Sequence, residues 1–120
     1  MDIELERRQG FWLCIIKDLI HWSKPRLINV MTDPTTVNVW APELFYDDVK
    51  KQYMIIWASC IPGKFPDYKE DHYNNHRLYY VTTKDFKKFS KAKVLIDPDF
   101  SSIDATLVKR GKDDYVMVLK

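Results

Sequence analysis

The stretch "WAPELFYDDVKKQYMIIW", residues 40–57, is echoed by "IDATLVKRGKDDYVMVLK", residues 103–120, with one residue fewer in the turn. Trp40 and Ile103 open the two copies. Each copy has two runs rich in apolar, aromatic and β-branched residues around a polar turn, Asp47–Lys51 in the first and Arg110–Asp114 in the second. That pattern reads as a β-hairpin. A second phrase is also written twice: "KDLIHWSKPRLI" at 17–28 and "KDFKKFSKAKVLI" at 84–96. Both have Lys-Asp, then an aromatic, then Ser-Lys and a short strand-forming run. The two repeats interleave with a period near 65 residues. Four short strands per period is the signature of a β-propeller blade.

Strands are therefore expected at 11–17, 26–30, 43–46, 52–58, 77–83, 93–96, 103–108 and 115–119. The run "QYMIIWA", 52–58, is apolar almost throughout and reads as buried on both faces. The Lys-Asp phrase links the third and fourth strands of a blade. Its aspartate suits a tight turn, because a short carboxylate accepts nearby backbone N–H groups. Trp22 and Phe89 at these links are expected to pack between blades. On this reading 11–30 is an outer half-blade, 40–97 a whole blade and 102–120 an inner half-blade, so residues 1–120 form part of a propeller. A weak helical pattern covers 1–8.

Nineteen basic and 17 acidic residues nearly cancel, and the lysines are scattered. No nucleic-acid partner follows from such a surface. No run of 18 apolar residues spans a membrane, and "MDIELERRQG" lacks the apolar core of a signal peptide. Cys14 and Cys60 lie in apolar runs and read as buried thiols, with a disulfide as the alternative. The cluster "KEDHYNNH", 69–76, holds Glu70, Asp71, His72 and His76. His-x-x-x-His binds zinc from a helix, but this cluster sits in a long loop before a strand, so no metal and no cofactor is expected.

The motifs Trp40-Ala41-Pro42-Glu43, Thr83-Lys84-Asp85-Phe86 and Ser102-Ile103-Asp104-Ala105 come in this order within predicted strands and turns. With their surroundings they resemble glycoside hydrolase family 43 and its relatives. The resemblance covers the chain from about Phe11 onward. It implies a five-bladed β-propeller, about two of whose blades lie here, and an enzyme that cleaves arabinan or xylan with inversion. In that chemistry one carboxylate activates water and a carboxylic acid protonates the leaving oxygen. A third carboxylate beside the acid keeps it protonated.

The resemblance carries three residues over. Asp104 matches the modulating aspartate, or else is an ordinary strand-start carboxylate. Trp40 and Glu43 match the segment that lines or supports the sugar pocket. Trp40 either stacks on a sugar ring or packs between blades, and Glu43 either contacts sugar or braces the site. The family's general base and general acid fall on neither side of these motifs within this chain; Asp2 lacks an inner-strand setting. The 120 residues are thus expected to be a fragment, inactive alone, with an oligosaccharide or polysaccharide as the substrate of the whole enzyme. Two alternatives stay open: a non-catalytic carbohydrate-binding propeller piece, or a scaffold. The half-blades are complementary in kind, so a homo-oligomer joined through them is expected.

Overall fold

The structure is a computed structural model and describes residues 9–66 and 71–120. The helix expected over 1–8, Asp2 and Glu70 lie outside the described residues. Eight strands follow in order: β1 (Gly10–Leu13), β2 (Arg26–Asn29), β3 (Trp40–Asp47), β4 (Gln52–Ser59), β5 (Arg77–Thr83), β6 (Lys93–Ile96), β7 (Thr106–Gly111) and β8 (Asp114–Val118). They form three antiparallel sheets ordered β1-β2, β3-β4-β5-β6 and β7-β8. No helix occurs among the described residues. The chain is all-β, and this arrangement is consistent with a fragment of a β-propeller.

The four-stranded sheet lies between the other two, and β4 explains why. Side chains alternate across a strand, so Ile55 and Trp57 point to one side and Ile56 and Ala58 to the other. Ile55, Trp57, Tyr79 and Val81 pack against Phe11, Val30 and Met31 around the first sheet. Ile56, Ala58 and Leu78 pack against Ala105, with Leu107 and Met117 of the third sheet and Leu119 just after it beside them. Trp57 is buried and its indole N–H donates to Ser59 Oγ at 3.0 Å. Tyr53 is only half-buried, tilted between Tyr46 and Phe86.

The repeated link is repeated atom by atom. Asp18 Oδ1 accepts the N–H groups of Ile20 and His21. Asp85 Oδ1 accepts those of Lys87 and Lys88. Leu19 and Phe86 hold the same left-handed backbone, φ 62° and 56°. Ser23 and Ser90 each accept the N–H of a residue eight positions earlier, Ile15 and Thr82.

Several expectations are corrected. The first strand stops at Leu13, and Ile16 makes only an isolated bridge to Trp22. Cys14 is consequently exposed, while Cys60 is buried. Trp22 is 63% exposed and packs between no sheets. Its counterpart Phe89 does pack on the first core. The difference is that β2 faces the second link, while among the described residues no strand precedes β1 to cover the first.

The strand expected from Ile103 starts at Thr106, because Asp104 is left-handed (φ 53°) and interrupts the ladder. The strand expected from Glu43 instead reaches back to Trp40. It crosses a bulge where Ala41 is left-handed (φ 49°) and Pro42, which has no N–H to offer, is tolerated. The turn expected over 110–114 narrows to Lys112-Asp113, with Gly111 paired to Asp114.

Candidate functional site

The two left-handed kinks mark equivalent places. Each stands at the start of a hairpin copy, and each is followed by a strand entering from the same end. Asp is among the residues that tolerate this conformation best. Ala41 does not, so the kink itself belongs to the repeated backbone and the side chain is what varies. Asp104 is exposed, and among the described residues nothing donates a hydrogen bond to its carboxylate. Ala105 beside it is buried in the core under the third sheet. The chain at Asp104 is anchored on both sides: Ile103 and Lys120 exchange backbone hydrogen bonds of 2.8 and 2.9 Å.

Glu43 lies close to this strand start. Its Oε1 accepts a hydrogen bond from Thr106 Oγ1 at 2.9 Å, across 63 residues. Glu43 is half-buried on β3, and one of its oxygens therefore ties the two inner strands together.

Trp40 is 49% exposed and lies on the ring of His76, with centroids 5.0 Å apart and planes 18° from parallel. A notch of about 310 Å3 opens beside the pair, lined also by Asn74, Ser101, Ile103 and Lys120. His76 is itself 2% exposed. Its Nδ1 meets the Asn74 carbonyl at 2.8 Å and its Nε2 meets Asn38 Nδ2 at 2.9 Å. A carbonyl only accepts, so the proton sits on Nδ1, and Nε2 accepts from the Asn38 amide. With both ring nitrogens used, His76 does not pair with His72 as a metal ligand. His72 is exposed and stands edge-on to Tyr73. Among the described residues no group of three or more His, Cys, Asp or Glu is placed to hold a metal.

Arg77 reinforces this end of the sheet. Its guanidinium, 1% exposed, donates from Nε to Asp97 at 2.6 Å and from Nη1 to Asn75 Oδ1 at 2.6 Å and the His76 carbonyl at 2.9 Å. It also covers the Phe65 ring at 4.5 Å. The hydrogen bond from Arg77 holds the Asp97 carboxyl below its usual range.

A larger cleft, about 610 Å3, lies elsewhere, between β2 and the link before β6. Asp33, Lys64 and Tyr79 line it. Burial pushes the Tyr79 hydroxyl up to about 12. None of Trp40, Glu43 and Asp104 reaches this cleft. Size alone favours the cleft; the notch is lined by the exposed Trp40 ring and by Ile103, the residue before the exposed Asp104, and Glu43 lies on the same strand as Trp40.

Trp40, Glu43 and Asp104, singled out from the sequence, thus lie at the starts of neighbouring strands. The sequence does not mark His76 and Asn38, both buried, as supports beneath this surface. Their partners are remote in the chain, and the only local hint was a histidine directly before a strongly apolar strand.

Residues 7–120 match the family model described as "Probable glycosyl hydrolase domain". An α-L-arabinofuranosidase of Bifidobacterium longum subsp. longum is 27% identical over 105 residues, which cover 78% of this chain and 10% of that protein. The chain spans about a tenth of the length of the curated relative it matches. No solved structure matches it.

Proposed function

This chain belongs to the glycosyl hydrolase family related to family 43, and we propose that its notch forms part of a site for arabinose- or xylose-containing plant polysaccharides, in an enzyme that hydrolyses the glycosidic bond with inversion. The observation that carries the reading is the placement of Trp40 and Glu43 at the start of β3 and of Asp104 just before β7, the two strand starts being joined by the Glu43–Thr106 bond. Each residue has a distinct task. The half-exposed indole receives the C–H face of a sugar ring, while sugar hydroxyls keep their hydrogen bonds at the rim. Glu43 braces the two strand starts and presents its second oxygen. Asp104, placed beside the enzyme's general acid, disfavours that acid's ionisation by like-charge repulsion. Asp104 tunes proton transfer and does not perform it.

The three sheets are, in this proposal, an outer half-blade (11–30), a whole blade (40–97) and an inner half-blade (102–120) of a five-bladed propeller. The relative's printed name, α-L-arabinofuranosidase, supports arabinose as the first sugar to try. Arabinotriose is expected to bind the 120-residue chain and to lose affinity in Trp40→Ala. Hydrolysis of aryl α-L-arabinofuranoside by this chain alone is expected near background, because a modulator without its acid and base is not a catalyst. Binding unaffected by Trp40→Ala would refute the sugar surface. Turnover abolished by Asp104→Asn would show that the chain carries more of the machinery than proposed.

Among the described residues β1 pairs only with β2 and β8 only with β7. Joining those free edges between two copies would restore the four-stranded order seen in β3–β6. Light scattering on the 120-residue chain is expected to show concentration-dependent association; a stable monomer at micromolar concentration argues against it.

A further inference from the structure

We infer that His76 is a positioning residue that holds the Trp40 ring and the segment leading to Asp104 in one fixed relation. The inference rests on the sugar-site reading of Trp40 and Asp104 above. Two separate parts of His76 do the two tasks. Its ring is the lower half of a stack, and Trp40 is the upper half. One indole face is covered by imidazole, and the notch opens beside the stacked pair. The imidazole cannot rotate away without breaking bonds at both nitrogens, to Asn74 and to Asn38.

The backbone of His76 makes the second connection. Its N–H donates to Ser101 Oγ at 3.0 Å, and its carbonyl accepts from the Ser102 N–H at 3.2 Å. Ser101 Oγ in turn donates to the Asn74 carbonyl at 2.7 Å. Ser102, fully buried, stands two residues before Asp104. One residue at the mouth of β5 therefore reaches the start of β3 through its ring and the approach to β7 through its main chain.

The choice of histidine follows from the same contacts. Phenylalanine would stack as well, but it would strip the buried Asn38 amide of its one acceptor. Asn38 Oδ1 already lacks a partner, so the whole amide would be left unmatched, which is unfavourable in a buried place. Histidine supplies the flat surface and the acceptor together. An indole locked in this way does not have to be ordered when a sugar arrives, and affinity gains accordingly.

Tryptophan emission tests the ring's role without any sugar. His76→Ala is expected to change the emission of the chain, and the change is expected to vanish in a Trp40→Phe background, which assigns it to Trp40 among the four tryptophans. Arabinotriose is the second probe. His76→Ala should weaken its binding by roughly threefold to tenfold, the range set by one aromatic pair, and add little to Trp40→Ala. His76→Phe should restore most of that affinity while lowering stability. Asn38→Ala serves if His76→Ala does not fold, since it unlocks the imidazole and leaves both rings present. It should shift Trp40 emission in the same direction. A folded His76→Ala or Asn38→Ala chain with unchanged Trp40 emission overturns the inference whatever the sugar does. If Trp40 emission moves but Trp40→Ala itself leaves arabinotriose binding unchanged, the sugar reading has failed and the inference falls with it.

Discussion

The two copies of the hairpin, β3-β4 and β7-β8, share a backbone and differ in their surroundings. Both begin with a left-handed residue, Ala41 and Asp104, and Glu43 and Thr106 occupy matching places in them. Allowing for the shorter turn, Ile56 corresponds to Val118. Ile56 is 1% exposed and Val118 is 62% exposed. The first copy has a sheet on each face; among the described residues the second has the four-stranded sheet on one face and no sheet on the other. The repeat thus specifies a hairpin, and its neighbours decide which side chains become core. The same division holds for chemistry: the kink is common, and only one copy hangs a carboxylate on it.

The comparison breaks most decisively at the core. Trp57→Ala is expected to destabilise by about 3–5 kcal/mol and Ile56→Ala by about 2–5 kcal/mol. Val118→Ala, at the matching exposed place, should stay within about 0.5 kcal/mol. Denaturant unfolding of the three variants checks this. Similar losses at Ile56 and Val118 would mean that the second copy is covered as fully as the first.

Asp97→Asn sharpens the account of how the segment between the two copies is tied back to the start of β5. It leaves the buried Arg77 guanidinium without its anion, and the expected loss is about 1 kcal/mol, discounted because the carboxylate is partly exposed. The pH dependence has a definite sign. The folded-state pKa of Asp97 is lowered, so its contribution is complete above the unfolded value of roughly 3.9. It disappears as pH falls through the lowered value. Urea titrations between pH 6 and 2 should show a shallower acid loss in Asp97→Asn than in the parent chain.

The smallest effects come from the kinks. Ala41→Gly is expected to stabilise by roughly 0.5–1 kcal/mol, since a left-handed Cβ is disfavoured and glycine has none. Asp104→Gly should gain less, because aspartate already tolerates this region. Destabilisation by Ala41→Gly would contradict a shared kink, and equal gains at both sites would remove the distinction between them.

Much of this was legible in the chain. The strands at 77–83 and 93–96 have the limits their alternation suggested, and 52–58 extends by one residue. The turns at Asp18 and Asp85 follow from carboxylates placed to receive amides two and three residues on. Reading failed where apolar sequence outlasted the sheet. Leu13, Cys14, Ile15 and Ile16 look like strand, yet the chain leaves its partner after Leu13, and Cys14 and Ile15 are exposed. Asp104, Trp40 and Glu43 were found through motifs. In the sequence His76 is one more residue of a polar loop, because its role depends on Asn38, Trp40 and Ser102, none of which is near it in the chain.

By itself the sequence determined the repeated hairpin, the repeated link, the all-β class and the family. These rest on local hydrogen bonds and on side-chain alternation, which a short stretch of chain carries whatever surrounds it. Only the tertiary structure decided that Ile56 is core while Val118 is surface, that Trp22 is bare while Phe89 is covered, and that His76 joins Trp40 to the approach to Asp104. Each depends on which sheet lies across a face or which group lies across a gap, and a repeated sequence has the same local preferences in both of its settings.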